Sequence, residues 1–228
     1  MIYNQDCMEA MKEIKDNTFD ICITSPPYNL GKKHHTGKKY FTPYKDDYPE
    51  DEYQHNQINI LNELFRIIKD DGSVFYNHKN RIRNGFQISP YEWLLKTKWK
   101  IKQELVWVNR SQNFDKIRFY PFSERIYWMS KQKKTKFTNN LNLSDVNYWK
   151  SVGTKKKHKR AYPLEMVSDI LKCFPQNLKV LDIYLGSGTT AIACHNLGFD
   201  FTGYEIDKEY FEAAKKRIEQ HKQQGRLW

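Results

Sequence analysis

The chain has 228 residues, of which 39% are hydrophobic, enough for one substantial core and short for two. We therefore predict a single domain over residues 1–228. Lys and Arg number 38 against 27 for Asp and Glu, and the formal net charge of +11 suits a polyanionic partner without requiring one. No stretch approaches the ~18 apolar residues of a membrane helix, and the first residues lack an export signal. These features predict a soluble, cytoplasmic protein.

The four cysteines, Cys7, Cys22, Cys173 and Cys194, lie far apart and form no C-x-x-C pair. This spacing favours neither a zinc knuckle nor a compact disulfide framework, and it is typical of a protein from a reducing compartment. The pair His34-His35 has no third ligand at a useful spacing, so we predict no metal site.

Helix and strand patterns alternate along the amino-terminal half of the chain. The region 31–57 shows no period and is predicted to be a long surface loop. Residues Ser89 to Glu92 resemble a capping box that opens a helix. The remaining predictions are a helix over 7–14, a strand over 19–23, a helix over 58–69 stopped at Asp70-Asp71-Gly72, and strands over 73–76, 104–108 and 125–129.

In the carboxyl-terminal half, residues 131–160 lose apolar character and end in a run of six basic residues over 155–160. We interpret this segment as an insertion. The predicted elements that follow are a helix over 164–174, a strand over 179–183, a helix to about residue 197, a strand over 201–204 and a last helix over 206–218. Such alternation predicts an α/β fold with a doubly wound, mostly parallel sheet.

A glycine-rich turn follows the predicted strand over 179–183. The strand ends at Asp182 and the sequence continues as Tyr184-Leu185-Gly186-Ser187-Gly188-Thr189-Thr190. Two glycines at this point allow a tight backbone turn beneath a ligand. Glu205 ends the next strand, near the offset of ~20 residues at which a carboxylate can hold ribose hydroxyls. The turn has the pattern G-x-G but lacks the third glycine of the dinucleotide-binding motif. It therefore suits a nucleoside with a small charged tail, such as S-adenosylmethionine, better than a pyrophosphate.

The segment Ser25-Pro26-Pro27-Tyr28 follows the predicted strand over 19–23. Two prolines fix φ and remove two N–H donors, which leaves carbonyl groups free to act as acceptors. Acceptors that grip the two hydrogens of a nucleobase amino group would localise its lone pair, and Ser25 and the Pro26 carbonyl are the candidates. Tyr28 could stack on a base extruded from a duplex. Alone, the segment is more typical of a rigid turn whose tyrosine packs in the core.

Taken together, the segments Thr24 to Asn29 and Asp182 to Thr190 resemble the catalytic and cofactor motifs of amino-group DNA methyltransferases of restriction-modification systems. The catalytic motif comes first, as in the β class of that family. The resemblance implies a Rossmann-like methyltransferase fold, S-adenosylmethionine as cofactor, a target-recognition insert over 131–160, and base flipping with direct transfer. It also implies that Asp6 lies near the cofactor adenine, Glu205 at the ribose, and the segment Tyr162 to Glu165 at the methionine end.

The serine of Ser25-Pro26-Pro27-Tyr28 resembles family members that act on cytosine N4, whereas Asp or Asn there resembles those that act on adenine N6. We therefore predict a cytosine-N4 enzyme with adenine N6 as the alternative. Carbon-5 methylation requires a thiolate nucleophile, and the chain has no Pro-Cys dipeptide.

Three basic runs, over residues 32–39, 131–136 and 155–160, would contact phosphates if they faced DNA. An RNA or protein-glutamine methyltransferase, or a DNA-binding module without catalysis, are the remaining alternatives. The partners considered are duplex DNA, a second copy of the chain and a cognate restriction endonuclease. The last two stay open at this point.

Overall fold

The computed structural model describes residues 1–31, 46–110, 116–150 and 161–224. The helices are α1 (Cys7–Lys12), α2 (Glu50–Ile67), α3 (Tyr91–Leu94), α4 (Leu164–Lys172), α5 (Thr189–Leu197) and α6 (Lys208–Gln224). The strands are β1 (Ile2–Asn4), β2 (Phe19–Thr24), β3 (Ile68–His78), β4 (Arg81–Arg83), β5 (Phe86–Ile88), β6 (Lys100–Trp107), β7 (Glu124–Ser130), β8 (Val146–Asn147), β9 (Lys179–Asp182) and β10 (Asp200–Glu205).

Eight strands form one sheet in the order β1-β10-β9-β2-β3-β7-β6-β8. The five strands from β1 to β3 in this order are parallel, and β7 is antiparallel to both β3 and β6. From β2 the chain moves outward to β3, whereas from β9 it moves the other way to β10. The strand order therefore reverses between β2 and β9, the kind of place at which open α/β sheets bind ligands.

Both faces of the sheet are covered, as a doubly wound fold requires. Along β2, Cys22 packs into a cluster with Met11 of α1 and Leu61 of α2. Its neighbour Ile21 points to the opposite face and packs in the cluster that contains α4. Because successive strand residues alternate between faces, a continuous apolar run gives a strand buried on both sides. The predicted α/β fold with a mostly parallel sheet is confirmed.

Several element boundaries differ from the predictions. Helix α2 begins at Glu50, so the predicted loop over 31–57 is wrong at its end, and residues 32–45 lie outside the described part. The helix predicted to end at residue 69 ends at Ile67, and Asp70-Asp71-Gly72, predicted to separate it from the next strand, belong to β3. Strand β3 starts at Ile68, which pairs with Phe19 of β2. The register then shifts, and the next pair is Ile21 with Ser73, so residues 69–72 form an irregularity in the strand pairing. The capping-box prediction is confirmed in part, since Ser89 N donates to Glu92 Oε1 but α3 has only four residues.

The first part of the predicted insert, residues 131–150, packs against the sheet. The Phe137 ring lies 4.4 Å from the Trp128 ring, centroid to centroid, and Trp149 is buried in the same cluster. Lys136 binds Asp20 at 2.7 Å, near the amino end of β2, so the insert starts at the edge of the sheet opposite the strand ends discussed below. The basic run over 155–160 lies outside the described residues. No helix in the described ranges is both long and apolar enough to cross a membrane.

Candidate active site

The carboxyl ends of the parallel strands bring the sequence-predicted residues to one edge of the sheet. Strand β2 ends at Thr24 and leads into Ser25-Pro26-Pro27-Tyr28, β9 ends at Asp182, and β10 ends at Glu205. Thr24 Oγ1 donates to Asp182 Oδ1 at 2.8 Å, which directly links the ends of β2 and β9. The two motifs, more than 150 positions apart in sequence, are therefore adjacent.

The glycine-rich turn has the backbone conformation that glycine favours. Gly186 and Gly188 have φ of 52° and 76°, and Gly188 begins α5 as its N-cap. A Cβ on Gly188 would lie 3.0 Å from Ile218 Cδ1 of α6, so the turn and α6 approach closely. A Cβ on Gly186 would have the Tyr184 carbonyl oxygen, at 3.7 Å, as its nearest neighbour. The space that a side chain at Gly186 would occupy, called here the space above Gly186, is therefore open.

Asp182 is fully buried and its carboxylate is surrounded by donors. Besides Thr24, its donors are the hydroxyls of Tyr162 and Thr190 at 2.9 and 2.7 Å and the backbone N–H of Tyr184 at 3.1 Å. Burial raises the pKa of Asp182 and these hydrogen bonds oppose the rise. Because Tyr184 and Thr190 lie at the two ends of the glycine-rich turn, their hydrogen bonds to Asp182 hold this turn in place.

Glu205 is held by two backbone N–H groups, that of Gly186 at 2.9 Å on Oε2 and that of Asp207 at 3.0 Å on Oε1. Burial raises the pKa of this carboxyl, and the two N–H donors partly offset the increase. Each oxygen has a further lone pair in this geometry. The carboxylate can therefore accept two more hydrogen bonds, as a ribose diol would donate.

Asp6 caps α1, and its Oδ1 accepts from the backbone N–H groups of Met8 and Glu9 at 2.9 and 3.1 Å. The Gln5 N–H donates to the Glu205 carbonyl, so Asp6 follows directly on a contact with the end of β10. Asp6 therefore lies near Glu205, the residue predicted to bind the cofactor ribose.

Ser187 and Thr189, in the glycine-rich turn, are hydrogen-bonded to Arg217. Arg217 of α6 donates to the Ser187 carbonyl at 2.7 Å, to Ser187 Oγ at 3.0 Å and to Thr189 Oγ1 at 3.1 Å. Burial lowers the pKa of Arg217. Arg217 ties α6 to the glycine turn, a role that the sequence patterns did not suggest.

Tyr28 is the centre of a polar cluster in the Ser25 segment. Its hydroxyl lies 2.9 Å from Ser25 Oγ, 2.9 Å from Glu124 Oε2 and 3.0 Å from Asn77 Oδ1. Asn109 donates to the other Glu124 oxygen at 3.0 Å. Burial and the neighbouring Glu124 charge raise the pKa of Tyr28 well above its usual value, so this hydroxyl stays protonated and acts as a donor.

A second set of contacts holds the Pro27 carbonyl. The Tyr53 hydroxyl lies 2.7 Å from this carbonyl and 2.9 Å from His78 Nε2. Burial, together with the charges of Arg81 and Lys79, lowers the pKa of His78 to about 3, so its ring is neutral at physiological pH. The Tyr28 and His78 rings pack with their centroids 4.5 Å apart.

The structure thus brings all the predicted catalytic and cofactor residues to one edge of the sheet and adds residues that were not predicted. Asn77 and His78 end β3, and the rule that parallel strand ends meet would have found them. Glu124 starts an antiparallel strand, so only the β3–β7 register shows that it lies here. Within the described residues no cluster of His, Cys, Asp or Glu could hold a metal ion, and His34-His35 lie outside them.

The chain is similar in sequence to known DNA methylases. A family model for DNA methylases of the N6/N4 group matches residues 19–216. The type II methyltransferase M.BglII of Bacillus subtilis is 26% identical over 93% of this chain and 67% of its own length. The type II methyltransferase M.HinfI of Haemophilus influenzae is 28% identical over 97% of this chain and 68% of its own length.

Solved structures share the fold at lower sequence identity. The PvuII DNA methyltransferase, described as cytosine-N4-specific, superposes with a TM-score of 0.78 at 17% identity and covers 96% of this chain and 90% of its own. The complex of M1.HpyAVI with S-adenosylmethionine has a TM-score of 0.69 at 23% identity, covering 96% and 98% of the two chains. TTHA0409 from Thermus thermophilus, also solved with S-adenosylmethionine, has a TM-score of 0.72 at 17% identity over 96% and 93%.

Proposed function

Since the chain belongs to the N6/N4 family of DNA methylases, the amino-group methyltransferases of restriction-modification type, we propose that it methylates N4 of cytosine at a specific site in duplex DNA. Family membership makes S-adenosylmethionine the cofactor and DNA the substrate. The choice of cytosine N4 depends on Ser25, the first residue of the catalytic motif, and on the hydrogen bonds around it.

The residues at the end of β9 and β10 fit the cofactor. The open space above Gly186 admits a ligand close to the backbone, and the buried Glu205 carboxylate has lone pairs for two hydroxyl donors. We assign Glu205 to the ribose, Asp6 to the adenine side, and the turn Gly186 to Thr190 to the rest of the cofactor. Asp182 positions this turn. When bound, S-adenosylmethionine supplies an electrophilic methyl group on a sulfonium centre.

The observation that carries the cytosine-N4 proposal is the set of hydrogen-bonded contacts that joins Ser25 through Tyr28 to Glu124. Glu124 accepts a hydrogen bond from the Tyr28 hydroxyl, and we assign the Ser25 hydroxyl as the donor to the Tyr28 oxygen. With its own proton engaged in this way, Ser25 Oγ presents lone pairs to a substrate. An amino group has two hydrogens to donate, so Ser25 is arranged as an acceptor for one of them.

The Pro26 carbonyl is the second acceptor. Tyr53 donates to the next carbonyl, that of Pro27, whereas no donor from the described residues reaches the Pro26 oxygen. Two acceptors that hold the two amino hydrogens make the nitrogen pyramidal and localise its lone pair for attack on the methyl carbon. After transfer the nitrogen releases one proton to water or to an acceptor, so no dedicated general base is required.

The target amino group is inaccessible within a base-paired stack, so we propose that the cytosine is extruded into this site. Tyr28 borders the space next to Ser25 and is assigned to the extruded base. The neutral His78 packs against Tyr28 and keeps it in place without adding charge. A restriction endonuclease that cuts the same DNA site is the proposed biological counterpart of the enzyme.

The test is mass spectrometry of nucleosides from duplex DNA of diverse sequence, incubated with the protein and isotopically labelled S-adenosylmethionine. We expect label in N4-methylcytosine and a decrease of about a hundredfold for Ser25→Ala, as for loss of one preorganised polar contact to a reacting group. Equal cofactor affinity of the variant and the wild type checks that the variant folds. Label in N6-methyladenine would reject the choice of base and leave the family assignment intact.

A further inference from the structure

Two short segments extend from the sheet beside Tyr28, because one follows the end of β3 and the other precedes the start of β7, its antiparallel neighbour. The hairpin, residues 81–88 of β4 and β5, follows directly on the end of β3. The aromatic segment, residues 116–122, directly precedes β7, which pairs antiparallel with β3 so that Arg125 lies opposite His78. The Arg118 guanidinium donates to the Gly85 carbonyl at 3.2 Å and joins the two segments.

The hairpin and the aromatic segment are continuous with the proposed catalytic residues. Glu124, which binds the Tyr28 hydroxyl, follows the aromatic segment after one intervening residue. At the start of the hairpin, the Lys79 ammonium lies 6.0 Å from the Tyr28 ring centroid. Arg83 reaches the Glu50 carboxylate at 3.1 Å, which fixes the hairpin to the start of α2.

Both segments expose large apolar side chains. Phe86 is 78% exposed near the hairpin turn, and Phe119 is fully exposed. About half of the large apolar side chains that the described residues expose lie on these two segments. Scattered apolar residues are common on protein surfaces, but such a concentration indicates an interaction site.

The charge of the two segments indicates the chemical class of the partner that they bind. Residues 81–88 and 116–122 contain no acidic residue, and Arg83, Lys116 and Arg118 are their basic residues besides Arg81, which is buried and ion-paired with Glu50. Basic side chains between exposed aromatic rings are typical of surfaces that bind nucleic acids, where cations contact phosphates and rings stack on bases. The hairpin also has suitable dimensions, since a two-stranded ribbon fits the major groove of duplex DNA. Its turn is fixed by Asn84 and Gly85, both with positive φ, so the ribbon is narrow at its tip.

We propose that the hairpin and the aromatic segment form the surface that receives the duplex next to the extruded nucleotide, with Phe86 entering the base stack and Phe119 covering an adjacent base. This inference depends on the proposed methylation of duplex DNA. Extrusion leaves a gap in the stack, and an apolar ring that fills it offsets the cost of unstacking. Arg118, which joins the two segments, contacts a phosphate beside this nucleotide.

The first experiment compares Phe86→Ala and Phe119→Ala with the matched control Leu95→Ala. Leu95 is 72% exposed but lies just after α3, on the path to the start of β6 at the other edge of the sheet. Methyl transfer from labelled S-adenosylmethionine to duplex DNA of mixed sequence is measured with the affinity for S-adenosylhomocysteine. We expect about tenfold slower transfer for each phenylalanine variant, no change for Leu95→Ala, and unchanged cofactor affinity in all three. Phe86→Trp should retain activity.

A second experiment separates phosphate contacts from stacking. The affinity of Arg118→Gln for a fluorescent mixed-sequence duplex should depend less steeply on salt, by about one unit of the log–log slope, whereas Phe86→Ala should keep the wild-type slope. Wild-type rates for both Phe86→Ala and Phe119→Ala would overturn the inference while leaving the function intact. Absence of transfer by the wild-type enzyme to any duplex would instead reject the proposed function.

Discussion

The Tyr162 hydroxyl donates to Asp182 Oδ2 at 2.9 Å and so fixes the chain just before α4 to the end of β9. Thr24 reaches the same carboxylate from the end of β2, and Thr190 reaches it from the first turn of α5. One buried acidic group therefore holds together the catalytic segment, the entry to α4 and the glycine-rich turn. This explains why the two motifs, far apart in sequence, have a fixed relative position.

The first prediction concerns the stability provided by this carboxylate. Asp182→Asn replaces one acceptor oxygen with a donor, so at least one buried hydroxyl loses its partner. We expect the free energy of unfolding to fall by about 1–3 kcal/mol, measured by urea denaturation. Asp145→Asn, at an exposed position, is the control and should change it by less than about 0.5 kcal/mol. Equal stability of the two variants would show that Asp182 does not organise the site.

The second prediction is a pH dependence of cofactor binding. Burial raises the pKa of Glu205 above its ordinary value of 4.5, so the carboxylate takes up a proton at higher pH than an exposed glutamate does. Ribose hydroxyls need the ionised form as acceptor, and affinity for S-adenosylhomocysteine should therefore fall as pH is lowered from about 7 towards 5. Calorimetric titration across this range measures the effect.

The contribution of Glu205 to folding stability depends on pH in the opposite direction. A raised pKa in the folded state favours the protonated form, so the contribution of Glu205 to folding is greatest at low pH and is lost as pH rises through the folded pKa. Glu205→Gln should therefore remove the acid-induced loss of binding and lower affinity at pH 7. Glu209→Gln, in the first turn of α6, serves as the control and should keep the wild-type pH profile.

The third prediction compares three glycines with positive φ. Gly198 has φ of 74° and open space where a Cβ would lie, so Gly198→Ala measures the backbone penalty alone, about 1–2 kcal/mol. Gly188→Ala should cost more, because the new Cβ would lie 3.0 Å from Ile218 Cδ1. Gly186→Ala should cost about as much stability as Gly198→Ala but should also weaken cofactor binding, since its Cβ would occupy the open space of the site. Unfolding and binding measurements on all three variants test the comparison.

The sequence predicted the parts of the fold that follow from local patterns. The strand ending at Asp182 and the positions of Ser25 to Tyr28 could be predicted because a buried strand, a turn and a helix each have a local signal. The hairpin could also have been predicted, since Asn84-Gly85 between short β-prone runs is a strong hairpin signal. The sequence patterns used above assign no element to residues 81–88.

Other features depend on pairings between distant segments. Ile68 pairs with Phe19 of β2 and Ser73 pairs with Ile21, so Asp70-Asp71-Gly72, which locally favours a turn, lies in an irregularity between two paired positions. Glu124 reaches Tyr28 only because β7 runs antiparallel to β3, and its composition gives no indication of that register. The partner of a buried hydroxyl is thus fixed by the order of strands in the sheet, and a single sequence does not specify this order.

The fourth prediction tests whether Tyr28 acts through Ser25. If the Tyr28 oxygen accepts the hydrogen bond of the Ser25 hydroxyl and so leaves the Ser25 Oγ lone pairs for the substrate, removal of either group removes the same contribution to catalysis. Tyr28→Phe keeps the ring against His78 and deletes only the hydroxyl that lies 2.9 Å from Ser25 Oγ and from Glu124 Oε2. We expect kcat to fall in Tyr28→Phe and in Ser25→Ala, and the double variant to be little worse than Ser25→Ala.

A double-mutant cycle on kcat gives the coupling energy, which should be about 1–3 kcal/mol for two groups in one hydrogen-bonded network. Glu124→Gln provides a second cycle with Tyr28, because a neutral amide oxygen is a weaker acceptor for the Tyr28 proton. Additive losses in both cycles would mean that Tyr28 and Ser25 contribute independently. In that case the tyrosine would contribute through its ring, as a stacking surface for the base, and the acceptor role of Ser25 would not depend on the hydrogen bonds to Glu124.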